Sequence, residues 1–322
     1  MLMALSGDVT LCFKKYERGG RDTREGDALE SGRAAELEGI LDDQAAYEDA
    51  LATIEDGFSR RLCAVRTRIV AMEDGIGALR RLGLERKVRF LRVLGGRPVT
   101  CHDVRQAAGD ARDAGELLVA DNTLATSFGC QATRLGAHIA YEELDHVVQR
   151  EGSNLMAISV SRDAVQAVTD LGRRLKGIRR PTAAEVVELA AGLEDFDERR
   201  RAAFDCAQVV AYYLLCHPKV AHVYYPGLPH DPSFAVASSI IRNGFGSCVD
   251  FELDLTDAGS MARVLESARE VLDPWAPGGN GVEFLRLAQG EKDPLHALVR
   301  LRCGHAKPLP FVSKLERVLA TA

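Results

Sequence analysis

The sequence predicts an α/β fold, with a mainly parallel sheet in a large domain and a smaller C-terminal α/β domain. Apolar runs of strand length alternate with helical stretches up to about residue 205, which is the pattern of successive β-α-β units. Beyond that point, segments that alternate polar and apolar residues are typical of half-exposed strands. The 322 residues, 46% of them hydrophobic, are enough to build two cores.

The expected organisation is an irregular, charged N-terminal arm (1–45), a large domain (46–205) and a small domain (206–322). Within the large domain, Leu117–Ala120 is a short apolar run that is followed by Asp121. A buried parallel strand has this form when it presents a polar side chain at its carboxyl end. We therefore expect Asp121 at the edge of the main sheet.

The small domain is predicted from four segments. Helical periodicity over residues 202–215 leads into a strand at Ala221–Tyr225, which the prolines of the PGLP turn bring to an end. Two more strands are predicted at SCVDFELDL, from Ser247, and at LVRLRCGH, from Leu298. A helix over PFVSKLERVLA, from Pro310, closes the chain.

Composition excludes several classes of protein. A net charge of −6 gives no basic surface for nucleic acid, and we interpret the arginine-rich stretches at 173–180 and 199–201 as solvated helix faces. No membrane-spanning segment or basic leader is predicted, which favours a cytoplasmic location. The eight cysteines lack CxxC or zinc spacing, so we expect reduced thiols, no disulfide and no metal site.

Seven segments carry a family resemblance. They are YERGGRDTR from Tyr16, RIVAMEDGIGALRRL from Arg68, VADNTLATS from Val119, LGAHIAYEELDH from Leu135, HPKVAHVYYPGLP from His217, GFGSCVDFEL from Gly244 and LVRLRCGH from Leu298. In the same order they resemble YSRSGNPTR, HVVAMDDVYGGTYRL, VDNTFATP, LGADIVVHSATK, HPKVERVYYPGLP, GFGGMVSFEL and LIRLSVGLE. These are segments of the trans-sulfuration enzymes of cysteine and methionine metabolism, such as cystathionine gamma-synthase and gamma-lyase, which depend on pyridoxal phosphate (PLP).

The resemblance covers nearly the whole chain and implies a fold like that of the fold-type-I PLP-dependent transferases. The large domain is expected to be shortened, because only a short stretch separates Leu82 from Val88 where the family has several dozen residues. The resemblance also implies PLP, with Asp121 as the carboxylate at its pyridine nitrogen.

The lysine that this cofactor requires is missing from the matching segment. PLP must be held as a Schiff base by a lysine amine, yet no lysine occurs between Lys87 and Lys176. Alignment of LGAHIAYEELDH with the family segment places His146 at the lysine position. Histidine can move a proton near neutral pH but cannot form the imine.

The cofactor's phosphate site is altered as well. The family's phosphate-cradling turn matches residues 55–58, in which Gly57 keeps the glycine while Glu55 and Asp56 replace hydroxyl side chains. A helix N-terminus with free backbone amides is a favourable place for an anion. Carboxylates there would repel the phosphate by about 1 kcal/mol per pair in water and more in a partly buried site.

Four more positions depart from the family. Glu143 and Asp145 replace the serine and threonine that contact the phosphate, so up to four carboxylates are expected to converge on that site. Ile76 replaces the tyrosine that stacks on the cofactor ring, which removes an aromatic contact worth about 0.5–1.5 kcal/mol. Gly278 stands where the family has a serine near the cofactor. We therefore expect that PLP is not bound.

Other positions match the family, and each has two interpretations. Tyr16 and Arg18 match a pair that a neighbouring subunit lends to the phosphate in the family, or they belong to a solvated arm. Arg300 matches the arginine that grips the substrate carboxylate, or it forms a structural salt bridge. Asp121 is otherwise a strand-end residue that caps a helix.

The leading prediction is a PLP-free pseudoenzyme that acts as a structural or regulatory subunit. It would form a homo-oligomer (dimer or tetramer) or pair with an active paralogue. One alternative is an active C–S lyase or transferase on sulfur amino acids, with a lysine from elsewhere such as Lys176. Another is a lysine-free activity that uses His146, Asp145 and Glu143 as acid and base groups. A third is an amino-acid sensor that retains Arg300.

Overall fold

The computed structural model describes residues 9–11, 44–72, 87–164, 178–253, 258–288 and 296–321. Tyr16, Arg18, Ile76 and Lys176 lie outside these ranges, so what the sequence predicts for them stays a prediction. The same holds for the domain boundaries drawn above.

The first part of the chain contains, in order, β1 (Val9–Leu11), α1 (Gln44–Leu62), β2 (Arg66–Met72), β3 (Val88–Arg92), β4 (Leu94–Gly95), β5 (Thr100–Cys101), α2 (Val104–Asp113), β6 (Leu117–Asp121), α3 (Thr126–Gly129), β7 (Ile139–Glu143), α4 (Asp145–Val148), β8 (Leu155–Val160), a 3-10 turn (Arg162–Ala164), β9 (Ile178–Arg179) and α5 (Ala183–Glu194). The second part contains α6 (Phe196–Leu215), β10 (Val220–Tyr224), α7 (Phe234–Ile240), β11 (Cys248–Leu253), α8 (Ala258–Val271), β12 (Gly281–Ala288), β13 (His296–Arg302) and α9 (Pro308–Leu319).

Local sequence explains where two of the helices begin. The Asp103 carboxylate accepts hydrogen bonds from the Arg105 and Gln106 amides and caps α2. Thr182 and Glu185 form a reciprocal capping box at the start of α5, since each side chain binds the other residue's backbone amide. Both devices satisfy amides that the first helical turn leaves without a partner.

The six-stranded sheet of the first part has the spatial order β3-β6-β7-β8-β2-β9. Strands β3, β6 and β7 are parallel, as the sequence predicts. The described pairings β7-β8, β8-β2 and β2-β9 are antiparallel, so the sheet is mixed. The predicted buried strand is confirmed as β6, where Leu118, Val119 and Ala120 are all buried.

The five-stranded sheet of the second part has the order β1-β12-β13-β11-β10, and all its described pairings are antiparallel. The strands predicted after Ala221, Ser247 and Leu298 are confirmed as β10, β11 and β13, and the predicted last helix as α9. One feature was not predicted. Val9–Leu11 leaves the expected arm and pairs with β12 at the edge of this sheet.

Helix α6 joins the two parts of the molecule. Phe204 lies in a core cluster with residues of α1, α5 and β8, whereas Cys206 and Leu214 lie in the core beneath the five-stranded sheet. Phe204 also packs edge-to-face on Phe128, with 5.6 Å between ring centroids. In the described ranges, no helix is both long and apolar enough to cross a bilayer.

Candidate functional site

His146 lies in the first turn of α4, directly after β7, and is buried. Its Nε2 lies 2.9 Å from Glu142 Oε1, and the Ser127 amide donates to Glu142 Oε2 over 2.6 Å. Burial lowers the pKa of His146, although Glu142 acts in the opposite direction. The imidazole is therefore neutral near pH 7 and donates its Nε2 proton to Glu142.

A small cleft opens beside His146, where α4, α6, the start of β11 and the loops that flank β12 and β13 meet. Its described walls include His146, Arg199, Arg200, Ser247, Gly278, Arg302 and His305. Of the site residues predicted from the sequence, His146 and Gly278 are in these walls. The walls, as far as the structure describes them, do not include Asp121, Gly57 or Arg300.

The arginines of α6 correct one prediction. Arg199 and Arg200 were expected on a solvated helix face, but each is only 8% exposed. Arg199 binds Asp195 over 2.7 Å and donates to the carbonyl oxygens of His146, Val147 and Gly192. A side chain at Gly192 would collide with the Val147 carbonyl, so glycine allows α5 to approach α4 this closely. The prediction was wrong for these two residues, because Arg199 packs against those two helices and Arg200 donates to the Ser247 hydroxyl before β11. Arg201 is exposed, as predicted.

The predicted phosphate turn also differs from expectation. Residues 55–58 lie well inside α1, where backbone amides bond to carbonyls one turn earlier, rather than at a helix N-terminus. The Glu55 carboxylate accepts the Ile69 amide over 3.0 Å and pairs with Arg68, so it anchors α1 to β2. Gly57 and its neighbours therefore do not form the anion cradle that the family match suggests.

Asp145 likewise has a local structural role. Its two carboxylate oxygens accept the Gly152 and Ser153 amides over 2.7 and 3.0 Å, and the Ser153 hydroxyl over 2.5 Å. These bonds hold the turn between α4 and β8. Two of the four carboxylates expected to converge on one phosphate site, Glu55 and Asp145, thus bind backbone amides of the chain itself.

Asp121 and Glu143 do lie near each other at the carboxyl ends of β6 and β7. Asp121 accepts the Thr123 amide over 3.0 Å, which is the geometry of a strand-end turn. Burial raises the pKa of Glu143, and the charges of Asp121 and Asp145 add to this shift. Arg92 lies 3.7 Å from Asp121 and partly compensates this negative cluster.

Arg300 forms a buried salt bridge with Asp250. Arg300 Nε and Nη2 lie 2.7 and 2.6 Å from the two Asp250 oxygens, and Nη2 also donates to the Gly96 carbonyl. The Val99 amide donates to Asp250 over 2.6 Å. Arg300 is 5% exposed and Asp250 is fully buried. Burial disfavours the Arg300 charge, but the hydrogen bonds to Asp250 outweigh it and raise the pKa of Arg300.

The sequence alone did not identify Asp250, Arg302 or Arg200 as site residues. Asp250 stands where the family segment GFGGMVSFEL has serine, and Arg302 where LIRLSVGLE has serine. Both substitutions are visible in the matched segments and could have been noticed. Arg200 gave a weaker signal, because an arginine run on a helix is usually solvated.

The described residues of the cleft do not fit a lysine-bound PLP. Lysines in the described ranges are Lys87, Lys219, Lys307 and Lys314, and none of these lines the cleft. The expected partner of a substrate carboxylate, Arg300, is bound to a carboxylate of the chain itself. Within the same ranges, no group of three His, Cys, Asp or Glu side chains is placed to hold a metal ion.

Comparisons with known proteins agree with this architecture. A family model described as Cys/Met metabolism PLP-dependent enzyme matches residues 32–273. The chloroplast cystathionine gamma-synthase 1 of Arabidopsis thaliana is 31% identical over 187 residues, which are 58% of this chain and 32% of that protein. A putative cystathionine gamma-lyase of Streptomyces coelicolor is 29% identical over 209 residues, which are 60% of this chain and 52% of that protein. The chain thus spans about a third of the first relative's length and about half of the second's.

Two solved structures share the fold over most of their length. An apo methionine gamma lyase from Micromonospora echinospora superimposes with a TM-score of 0.70 at 19% identity, over 84% of this chain and 85% of that one. A cystathionine gamma synthase from Xanthomonas oryzae, solved with aminoacrylate and cysteine, gives a TM-score of 0.67 at 16% identity, over 85% and 86% of the two chains. These likenesses confirm the predicted fold class.

Proposed function

The chain belongs to the Cys/Met metabolism PLP-dependent enzyme family, and on that premise we propose that it is a member without PLP-dependent catalysis that serves as a structural or regulatory subunit. The observation that carries this proposal is the bidentate pair between Arg300 and Asp250. A guanidinium holds an incoming carboxylate best through two parallel donors, and here a buried carboxylate of the same chain already takes Arg300 Nε and Nη2.

His146 supports the same proposal. It is neutral, buried and bonded to Glu142, so it can hold a proton but supplies no amine for a Schiff base. An alternative function, an active PLP-dependent C–S lyase or transferase, would need a lysine from outside the described cleft. The two functions predict opposite results with the cofactor.

The cofactor test is an absorbance spectrum after incubation with PLP and removal of the excess, followed by borohydride reduction and intact mass. We expect no long-wavelength imine band and no mass increase, because the described cleft holds no lysine. An active cystathionine gamma-synthase carried through the same steps is the positive control. An imine band with a reduced PLP adduct on this chain would overturn the proposal and identify the lysine.

We further propose that the protein acts in the cytoplasm as an assembly, either with itself as a dimer or tetramer or with an active paralogue. The shared fold over most of the chain supports a retained subunit interface. Light scattering on the purified chain is expected to give a mass above that of the 35.0 kDa monomer, or a native pull-down to recover the paralogue. A monomer in light scattering with no recovered paralogue would refute assembly.

A further inference from the structure

Arg200 is a buried charge that has no carboxylate partner in the described part of the chain. It is 8% exposed, and its Nη2 donates to the Ser247 hydroxyl over 3.2 Å. Its Nε has no hydrogen-bond partner there. Burial lowers the pKa of Arg200 to about 9, and the nearby Arg302 charge acts in the same direction. An uncompensated guanidinium inside a protein is strongly unfavourable. A negatively charged group beside Arg200 would therefore be stabilising.

The acids around this arginine are already bound to other groups. The two Glu142 oxygens accept from His146 Nε2 and the Ser127 amide, and no described ion pair joins Glu142 to Arg200. Asp195 binds Arg199, the preceding residue on the same helix. Neither carboxylate therefore chelates the Arg200 guanidinium.

Arg302 presents a second incompletely bonded guanidinium to the same cleft. Its Nη1 donates to Glu283 over 3.0 Å, and its guanidinium carbon lies over the Trp275 ring, 4.1 Å from the ring centroid. Its Nε is buried and, among the described residues, has no partner. Two arginines from different elements, α6 and β13, thus line one cleft and each retains an unused N–H donor.

We propose that this cleft binds a small oxyanion, a carboxylate or a phosphate group, between Arg200 and Arg302. The guanidinium is a planar donor that matches both oxyanions, and a bound anion would satisfy the free N–H groups and offset the buried charge. The inference goes beyond the proposed function, because it concerns ligand binding and holds whether or not a lysine elsewhere in the chain captures PLP.

The test is isothermal titration calorimetry on the full chain with inorganic phosphate and, separately, with succinate. Ionic strength is kept constant with sodium chloride, since general screening would otherwise imitate binding. Saturable heat with either probe supports the site, and the probe that binds more tightly identifies the preferred oxyanion. No saturable binding of either probe would overturn the inference.

The decisive variant is Arg200→Met, which removes the charge and keeps an unbranched side chain. We expect the affinity for the oxyanion to fall at least about tenfold, since charge-assisted hydrogen bonds are lost. We also expect a higher Tm without ligand, because an uncompensated buried charge is gone.

Arg201→Met is the matched control, because Arg201 is the next residue on α6 and is exposed. It should bind the oxyanion as the unmodified protein does. If Arg200→Met does not fold, Arg302→Met applies the same test with the same expected loss. Unchanged affinity in the folded Arg200 or Arg302 variant, or an equal loss in the Arg201 variant, would contradict the proposed site.

Discussion

Replacing Asp250 with alanine is expected to destabilise the protein by about 3–5 kcal/mol, because it leaves the buried Arg300 charge without its partner. Arg300→Ala should cost a similar amount, since it strands a fully buried carboxylate. Urea unfolding followed by circular dichroism measures both changes, from the midpoint and the m-value.

The double variant Asp250→Val with Arg300→Met separates pairing from general damage. If the two charges stabilise each other, replacing both with apolar side chains should restore most of the free energy of unfolding that either single variant loses. Arg150→Ala is the control, because its pair with Glu188 is about half exposed on both sides and should contribute less than about 1 kcal/mol. Additive losses in the double variant would show that the pair is not the stabilising unit.

The pair between Arg300 and Asp250 also leads to a prediction about ligand binding. No Tm shift that depends on Arg300 is expected with amino acids, because Asp250 already occupies the Nε–Nη2 edge of the guanidinium and the Gly96 carbonyl also accepts from Nη2. Thermal shift with L-methionine and L-cysteine measures this. Asp250→Ser is the informative variant, because it removes the carboxylate that is bound to Arg300. A shift that is lost in Arg300→Ala but present with Asp250 intact would mean that the pair opens for ligand.

Stability should also fall as the pH drops below about 6.5, the ordinary pKa of histidine, because burial lowers the pKa of His146 in the folded protein. Between the two pKa values the unfolded chain binds a proton that the folded chain does not, so acid favours unfolding. The contribution of one such group is at most about 1.4 kcal/mol per pH unit, and it is absent above the unfolded pKa.

His146→Gln isolates this contribution from the other titrating groups. The free energy of unfolding, measured from pH 7.5 down to 5.0, should fall less steeply in this variant than in the unmodified protein. His230→Gln, at an exposed position, is the control and should keep the original slope. Parallel profiles for all three proteins would mean that His146 is protonated without penalty in the fold.

The predictions that succeeded depend on local patterns. The strand that ends at Asp121, the long helix α6 and the closing helix α9 follow from apolar periodicity and turn residues within each segment. The missing lysine at His146 is likewise a property of the sequence alone. Family motifs in their expected order led to the fold class that the comparisons confirm.

The parts that failed depend on which segments meet in space. The N-terminal residues Val9–Leu11 pair with a strand more than 250 residues later, which no local pattern specifies. The predicted phosphate turn is buried in α1 because that helix continues through residues 55–58. Local composition also favoured a solvated face for Arg199 and Arg200, yet α4 and α5 cover Arg199, and Arg200 is buried beside Ser247.

By itself, then, the sequence determined the fold, the family pattern and the loss of the lysine. The tertiary structure decided which group Arg300 binds. Asp250 and Arg300 are 50 residues apart in the chain, but they are direct partners in the antiparallel ladder of β11 and β13. Cross-strand partners lie within reach of each other's side chains, so the strand register brings a carboxylate to the guanidinium that the family motif alone would assign to a ligand.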